Sequence, residues 1–242
     1  MAPPKRQILL IAIGTRGDAQ PLVIIGKRLM EDGHTVRIGV HEKHRNSVEK
    51  QGCECFAIEG FDPELLMSNQ MGDTPGLDAF NLRNLYGEWY RMVCKSTWAA
   101  ATLPRKDGSE FRAEVIFSSH QQQSALAIAE ALGAQLFFFN TYPMTPTVEF
   151  RHPFGTFLEG RDSPETPIVN QLTYWAYDNA THIGISNVMH DFRIALGLKP
   201  SLMGYKTIMQ EQLVSMKVGP RTRPRTRPWP PCGAQQFTLT GR

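Results

Sequence analysis

The sequence contains no apolar run of the roughly eighteen residues that a membrane-spanning helix requires. The run from Ile8 to Ile13 is too short for the core of a signal peptide. It leads into Gly14 and charged residues rather than into a small-residue cleavage site. We therefore expect a cytoplasmic protein without a transmembrane segment, which could still contact a membrane surface peripherally.

Cysteine is scarce, and its spacing matches no disulfide or zinc pattern. The four cysteines (Cys53, Cys55, Cys94 and Cys232) form no CxxC pair and have no histidine at metal-ligand spacing, so we expect reduced thiols and no metal. The chain also lacks a GxxxxGK[ST] motif and the third glycine of a dinucleotide fingerprint. Neither ATP nor NAD is indicated, and we expect no cofactor.

Positive charge is concentrated at the end of the chain. The net charge of +3 includes six cations and no acid in residues 217–242, which leaves 20 cations against 23 acids in Met1–Met216. Arginine alternates there with proline and threonine, without the interleaved aromatics of a nucleic-acid surface, so we expect no nucleic-acid partner. We predict one domain over 1–216 and a Pro/Arg-rich, linker-like or disordered tail over 217–242.

Apolar periodicity predicts a parallel α/β sheet. Gln7–Gly14 is a continuous apolar run that ends in glycine, as in a strand buried on both faces. Pro21 is expected to open a helix that ends before Gly33, and Thr35–Val40 to form the next strand. The first forty residues therefore predict one βαβ unit with a right-handed crossover.

The alternation continues along the chain. A strand at Ala113–Ser118, a helix at Ser124–Leu132 ended by Gly133, and a strand at Gln135–Phe139 predict a second βαβ unit. The other predicted elements are a helix near Lys43–Gln51, a strand near Cys55–Ile58, a short helix at Asp62-Pro63, a helix from Leu82 to about Thr97, an irregular loop from Asn140 to Pro167, and a helix over Ile168–Leu196 with a bend near Gly184.

The turn after the first strand is the candidate site. It reads Gly14-Thr15-Arg16-Gly17-Asp18-Ala19-Gln20-Pro21 and lies where ligands bind in open α/β sheets. A helix N-terminus behind it would favour an ionised carboxylate at Asp18. On the residues alone, two interpretations of Asp18 stay open: an acid that caps the helix, or a catalytic group.

This stretch resembles the G-[ST]-R-G-D-x-[QE]-P opening of the sterol glucosyltransferases and related antibiotic glycosyltransferases. Supporting similarities follow at Gly33-His34-Thr35-Val36-Arg37, at 52–58, at Ile128-Ala129-Glu130-Ala131-Leu132-Gly133, at 141–147, and at Asn170, Tyr174 and Trp175. The chain thus resembles the N-terminal domain of family 28 enzymes, which have the GT-B fold of two Rossmann-like domains. The resemblance implies a Rossmann-like parallel sheet with flanking helices, the N-terminal half of that fold.

The resemblance also implies a function. Asp18 would be the general base that takes the proton from the acceptor hydroxyl of a sterol or similar lipid alcohol, with inversion at the sugar. The donor would be a UDP-sugar, without a metal. The candidate acceptor- and sugar-binding residues are Gly14, Thr15, Arg16, Gly17, His120, Thr141, Tyr142, Met144 and Trp175. Of these, His120 has a second interpretation, since a lone histidine at such a place is more often a solvated loop residue.

Aromatic residues near the turn could line an apolar pocket, although core packing explains most of them individually. The candidates are Trp89, Phe137, Phe138, Phe139, Tyr142, Met144 and Trp175. Alternation along a strand sends Phe138 to the opposite face from its two neighbours, so part of this set is expected to be core.

The chain departs from the family pattern in two places that concern the acceptor. A P-P-x-x-x-G-x-H stretch is replaced by 120–127, and the tryptophan and arginine of the acceptor loop are Met144 and Pro146.

The chain also stops where the family's second domain would begin. We therefore expect a chain truncated before the nucleotide-sugar domain and inactive without it. Two alternatives stay open: a non-catalytic lipid-binding module, and one subunit of a split glycosyltransferase completed by a C-terminal donor-domain chain.

Overall fold

The computed structural model describes residues 4–62, 64, 79–119, 122–139, 141, 146–152 and 166–199. The strands are β1 (Gln7–Ala12), β2 (Thr35–His41), β3 (Glu54–Ile58), β4 (Val115–Ser118) and β5 (Gln135–Phe138). The helices are α1 (Arg16–Glu31), α2 (Arg45–Glu49, preceded by a 3-10 turn at Glu42–His44), α3 (Ala79–Thr102), α4 (Ser124–Leu132) and α5 (Pro167–Ala195).

The five strands form one parallel sheet in the order β3-β2-β1-β4-β5, which confirms the predicted fold class. Strand β1 lies at the centre, and Leu10 is paired with Ile38 on one side and Phe117 on the other. The strand order reverses between β1 and β4, so the carboxyl end of β1 opens at the topological switch point of the sheet. The turn from Gly14 to Asp18 therefore lies where open α/β sheets form ligand-binding crevices.

The sheet is buried on both faces because residues of β1 alternate between two cores. Leu9 and Ile11 pack with α3, α4 and α5, whereas Ile8 and Leu10 pack with α1 on the opposite face. This alternation accounts for the continuous apolar run in the sequence. It also places α1 and α5 on opposite sides of the sheet.

Arg37 is the largest fully buried side chain among the described residues, and it joins β2, β3 and the end of α3. Its guanidinium pairs with Glu54 at 2.8 Å and donates to the carbonyls of Ala100, Leu103 and Pro104. It also lies over the Phe111 ring, 4.1 Å from the ring centroid. A buried charge is tolerated only when it is paired and hydrogen-bonded, and these contacts satisfy both conditions.

Most predicted elements are confirmed, with shifts of one or two residues at strand ends. Helix α4 begins and ends where it was predicted, and Gly133 closes it with φ 67° in the left-handed region. Helix α3 is longer than predicted at both ends. Helix α5 continues through Gly184 without a break.

The predicted start of α1 is wrong. The helix begins at Arg16, five residues before Pro21, because Asp18 caps its first turn. Pro21 thus lies inside the helix and leaves the Gly17 carbonyl without its usual helical donor. Since Gly17 is exposed, water can satisfy that carbonyl.

Several predictions fall on residues outside the described part of the chain. These are most of the loop over 140–167, the tail over 217–242, and the Asp62-Pro63 helix except for Glu64, which is helical and whose backbone N–H donates to Oδ1 of Asp62 at 2.9 Å. Where the loop is described, at 141, 146–152 and 166, it contains no helix or strand, as expected, and Pro167 already belongs to α5.

Candidate functional site

The turn after β1 is folded around the carboxylate of Asp18. Thr15 is the N-cap of α1 in an extended conformation, and its backbone N–H donates to Oδ2 of Asp18 at 2.9 Å. The Thr15 hydroxyl lies 3.5 Å from the same oxygen. Asp18 at the third helical position thus reaches back to the entry of the 16-residue helix and caps its first turn.

The other carboxylate oxygen contacts a residue that follows the edge strand β5. The Thr141 hydroxyl donates to Oδ1 of Asp18 at 3.0 Å. Because β4 lies between β1 and β5, the chain that leaves β5 must turn back toward the centre of the sheet to make this contact. Two of the predicted site residues, distant in sequence, are therefore in direct contact.

The two glycines of the turn have different roles. A Cβ on Gly14 would overlap the Asp18 carboxylate, so only glycine lets that side chain fold back onto the turn. Gly17 is exposed on the first turn of α1, and a Cβ there would meet only the Thr15 hydroxyl at 3.6 Å, an ordinary contact. Arg16 is also exposed, at the first position of the helix.

His41 lies at the same edge, and sequence reasoning missed it. It ends β2, one position beyond the pair of Ala12 with Val40. Its Nδ1 accepts the Lys43 backbone N–H at 3.3 Å, which leaves Nε2 as the protonated nitrogen that donates to the Gly60 carbonyl at 3.2 Å. With both ring nitrogens engaged, His41 holds the loop after β3.

A buried polar cluster lies where β4 leads into α4. The Tyr90 hydroxyl accepts the Ser124 backbone N–H at 3.0 Å, and Gln122 Nε2 donates to the Thr97 hydroxyl at 2.8 Å. Burial raises the pKa of Tyr90 well above its usual value, so the phenol stays neutral. This cluster joins α3 to the entry of α4, and Tyr90 satisfies a backbone donor that the helix itself leaves unpaired.

The two candidate tryptophans have opposite environments. Trp89 is 6% exposed and packs in the core beside Gly60, where a Cβ would approach the indole Nε1 to 2.5 Å. Trp175 is 60% exposed on α5, across the sheet from α1. His120, Tyr142 and Met144 lie outside the described residues, and their role stays a prediction.

The arrangement at the turn can accept a proton. The strand-to-helix turn presents the Asp18 carboxylate. One of its oxygens accepts a backbone N–H, and the other accepts a hydroxyl group. An alcohol could approach that second oxygen in the same way as Thr141. Within the described ranges no three metal-ligating side chains gather, and none of the described helices is both long and apolar enough to cross a bilayer.

Comparison with known proteins identifies the family. Residues 8–150 match the Glycosyltransferase family 28 N-terminal domain. The chain belongs to this family. The Asp18 turn and Thr141 both lie inside the matched region.

Curated relatives of this family 28 chain are sterol 3-beta-glucosyltransferases. The chain is 31% identical to sterol 3-beta-glucosyltransferase UGT80A2 of Arabidopsis thaliana over 195 residues, which cover 78% of this chain and 29% of that protein. It is 32% identical to sterol 3-beta-glucosyltransferase of Yarrowia lipolytica over 192 residues, or 78% of this chain and 12% of that one. The chain thus spans less than a third of the length of these relatives.

A solved structure supports the fold. The glycotransferase of kitacinnamycin superposes with a TM-score of 0.50 at 15% identity, covering 78% of this chain and 41% of that one. With the family match, this identifies the sheet and its helices as the N-terminal half of a GT-B fold.

Proposed function

We propose that this chain is the acceptor-binding half of an inverting, UDP-sugar-dependent glycosyltransferase that acts on a sterol or a similar lipid alcohol. The observation that carries the proposal is the carboxylate of Asp18, held at the switch point of the sheet with one oxygen directed at a hydroxyl group. The sterol 3-beta-glucosyltransferases among the relatives supply the class of acceptor.

The proposed reaction uses Asp18 as the general base. The acceptor oxygen attacks the anomeric carbon from the face opposite the nucleotide, and the bond from that carbon to the UDP oxygen breaks with inversion. The hydroxyl proton passes to Oδ1 of Asp18 as the new bond forms. An alcohol is a weak nucleophile, so a base positioned within hydrogen-bond reach accelerates the step by about 10²- to 10⁴-fold.

We assign nucleotide binding to a donor-binding half that the described residues of this chain do not supply. The phosphate-binding glycine patterns are missing from the sequence, and Gly14 of the Asp18 turn accommodates the Asp18 carboxylate. We therefore propose that transfer requires a donor-binding half, and that this chain alone does not turn over UDP-sugar.

The test is transfer of radiolabelled UDP-glucose to cholesterol or ergosterol. Three proteins are compared: the 242-residue chain, a chimera that joins it to the C-terminal half of the Arabidopsis relative, and the chimera with Asp18→Asn. We expect activity only in the unmodified chimera. The Asp18→Asn variant should lose about 3–5 kcal/mol of transition-state stabilisation, because the amide keeps the shape but cannot take the proton.

Asp32→Asn is the matched control, since Asp32 also borders α1 but lies at its other end in a surface ion pair with Arg28. This variant should keep full activity. Transfer by the chain alone would refute the need for a donor half, and an Asp18→Asn chimera as active as its parent would remove Asp18 from the mechanism.

A second candidate is a non-catalytic lipid-binding module. The observation that favours it is the outer face of α5, where Ile168, Leu172, Trp175 and Ile183 are all more than half exposed. In that case sterol binding would be equal in the parent chain and in Asp18→Asn, and no chimera would transfer sugar.

A further inference from the structure

We infer that Thr141 is a positioning residue for the base: its hydroxyl orients the Asp18 carboxylate and leaves one lone pair of Oδ1 for the acceptor proton. The inference rests on the proposed role of Asp18. It adds a second residue to that role from a part of the chain 123 positions away.

The two oxygens of Asp18 are held differently. Oδ2 accepts the Thr15 N–H at 2.9 Å and lies against Gly14, where no side chain could fit, so this oxygen is enclosed by the turn. Oδ1 accepts from Thr141 at 3.0 Å. A carboxylate oxygen accepts two hydrogen bonds, so within the described residues Oδ1 keeps one site for an acceptor hydroxyl while Thr141 occupies the other.

The bond also connects two parts of the site. Asp18 belongs to a helix that packs on one face of the sheet, and Thr141 follows the edge strand of the described sheet. The segment that begins at Thr141 continues into Tyr142 and Met144, the candidate acceptor residues. The Thr141 hydrogen bond therefore joins the base to the start of this segment.

A merely structural role for Thr141 would make a different prediction. If the hydroxyl only anchored the segment after β5, its loss would loosen that segment and weaken acceptor binding without affecting the carboxylate. A positioning role requires a change at the carboxylate itself and a change in turnover rather than in acceptor affinity.

The first experiment uses the full 242-residue chain and needs no activity. Aspartate is labelled with ¹³C at the side-chain carboxyl, and the Asp18 resonance is assigned by its loss in Asp18→Asn. Thr141→Val, which has the same shape and no donor, should move that resonance, while Thr141→Ser should restore it. Thr147→Val is the matched control, because the Thr147 hydroxyl contacts only the Glu149 backbone N–H among described residues. An Asp18 resonance unchanged by Thr141→Val would overturn the inference.

The second experiment measures turnover in the chimera. Thr141→Val should lower kcat by about tenfold to a hundredfold, the usual effect of losing a hydrogen bond to a charged group, with little change in KM for the sterol. Thr141→Ser should recover most of the rate, and Thr147→Val should keep it. A loss confined to KM would assign Thr141 to acceptor binding and overturn the inference.

Failure of the proposed function gives a different result. If the chimera with Asp18→Asn is fully active, Asp18 is not the base, whatever Thr141 does to its resonance. If Asp18→Asn abolishes transfer but Thr141→Val does not, only the inference about Thr141 fails. When Asp18 is the base and Thr141 positions it, Thr141→Val should not lower the transfer rate further in an Asp18→Asn background, because the two residues act as one unit.

Discussion

The carboxylate of Asp18 occupies the space that a Cβ on Gly14 would need. The three heavy atoms nearest to that Cβ position all belong to Asp18, and the φ of Gly14 is not in the left-handed region, so the Asp18 side chain accounts for glycine at this position. The space beside Gly14 is thus filled by the protein's own carboxylate.

Gly14→Ala should therefore displace the Asp18 side chain and break its bonds to Thr15 and Thr141. We expect a loss of about 1–2 kcal/mol in the free energy of unfolding from the lost helix cap, measured by urea denaturation. Gly17→Ala is the control: its methyl group has room, and alanine in a helix should stabilise the protein by up to about 1 kcal/mol. Equal stability of the two variants would contradict the packing of Asp18 on Gly14.

Removal of the buried guanidinium should be far more costly. Arg37→Met keeps the apolar stem but leaves three carbonyl groups without their donor and Glu54 with Arg105 as its remaining partner, so we expect a loss of about 3–5 kcal/mol in the free energy of unfolding. Arg28→Met removes an arginine whose side chain is 71% exposed and should cost less than about 1 kcal/mol. Similar urea midpoints for the two variants would refute the structural role of Arg37.

The Cys55 thiol should make stability depend on pH in the alkaline range. Burial raises its pKa from 9 to about 11, so between these values the unfolded chain ionises and the folded chain does not. The contribution of the neutral thiol to the free energy of unfolding is fully present below pH 9. It is lost as the pH rises toward 11, at up to about 1.4 kcal/mol per pH unit.

The measurement compares urea midpoints of the parent and Cys55→Ala at about pH 8 and about pH 10, on either side of the ordinary thiol pKa. The parent should lose more stability than the variant, since the other alkaline titrations are common to both. If the parent instead gained stability relative to Cys55→Ala at the higher pH, the Cys55 thiol would not be neutral and buried in the folded chain.

Trp175 and Trp89 should differ in their access to solvent. Acrylamide should quench Trp175 efficiently, and Trp175→Phe should remove much of the collisional quenching of the folded chain, whereas Trp89→Phe should not. Saturable protection of Trp175 by added sterol would place the lipid on α5. An unchanged quenching constant in Trp175→Phe would contradict the exposure of this side chain.

The fold was predictable because its signals are local. The apolar run of β1, the glycine at 133 and the helical spacing of α4 each depend on neighbouring residues only. The start of α1 could not be predicted in this way, because proline normally marks the first turn of a helix. Here the capping carboxylate of Asp18, three residues after Thr15, outweighs that preference.

The long-range features of the site could not be predicted either. Arg37 resembles a surface residue of a strand until the end of α3 closes over it, and its partners there lie more than sixty positions away. The Asp18 turn was found through its motif, but its contact with Thr141 depends on the strand order. The one hint was that both residues follow the carboxyl ends of parallel strands.

The central position of β1 has a consequence for the order of folding. Its pairing with β2 joins Gln7 to Thr35, whereas its pairing with β4 joins Ile8 to Val115 across a much longer loop. Closing the longer loop costs more chain entropy, so amides of β1, β2 and α1 should gain protection first in pulse-labelled hydrogen exchange, and those of β4 and β5 later. Asp18 is then in place on its helix before Thr141 reaches it, and the last strands to dock complete the site.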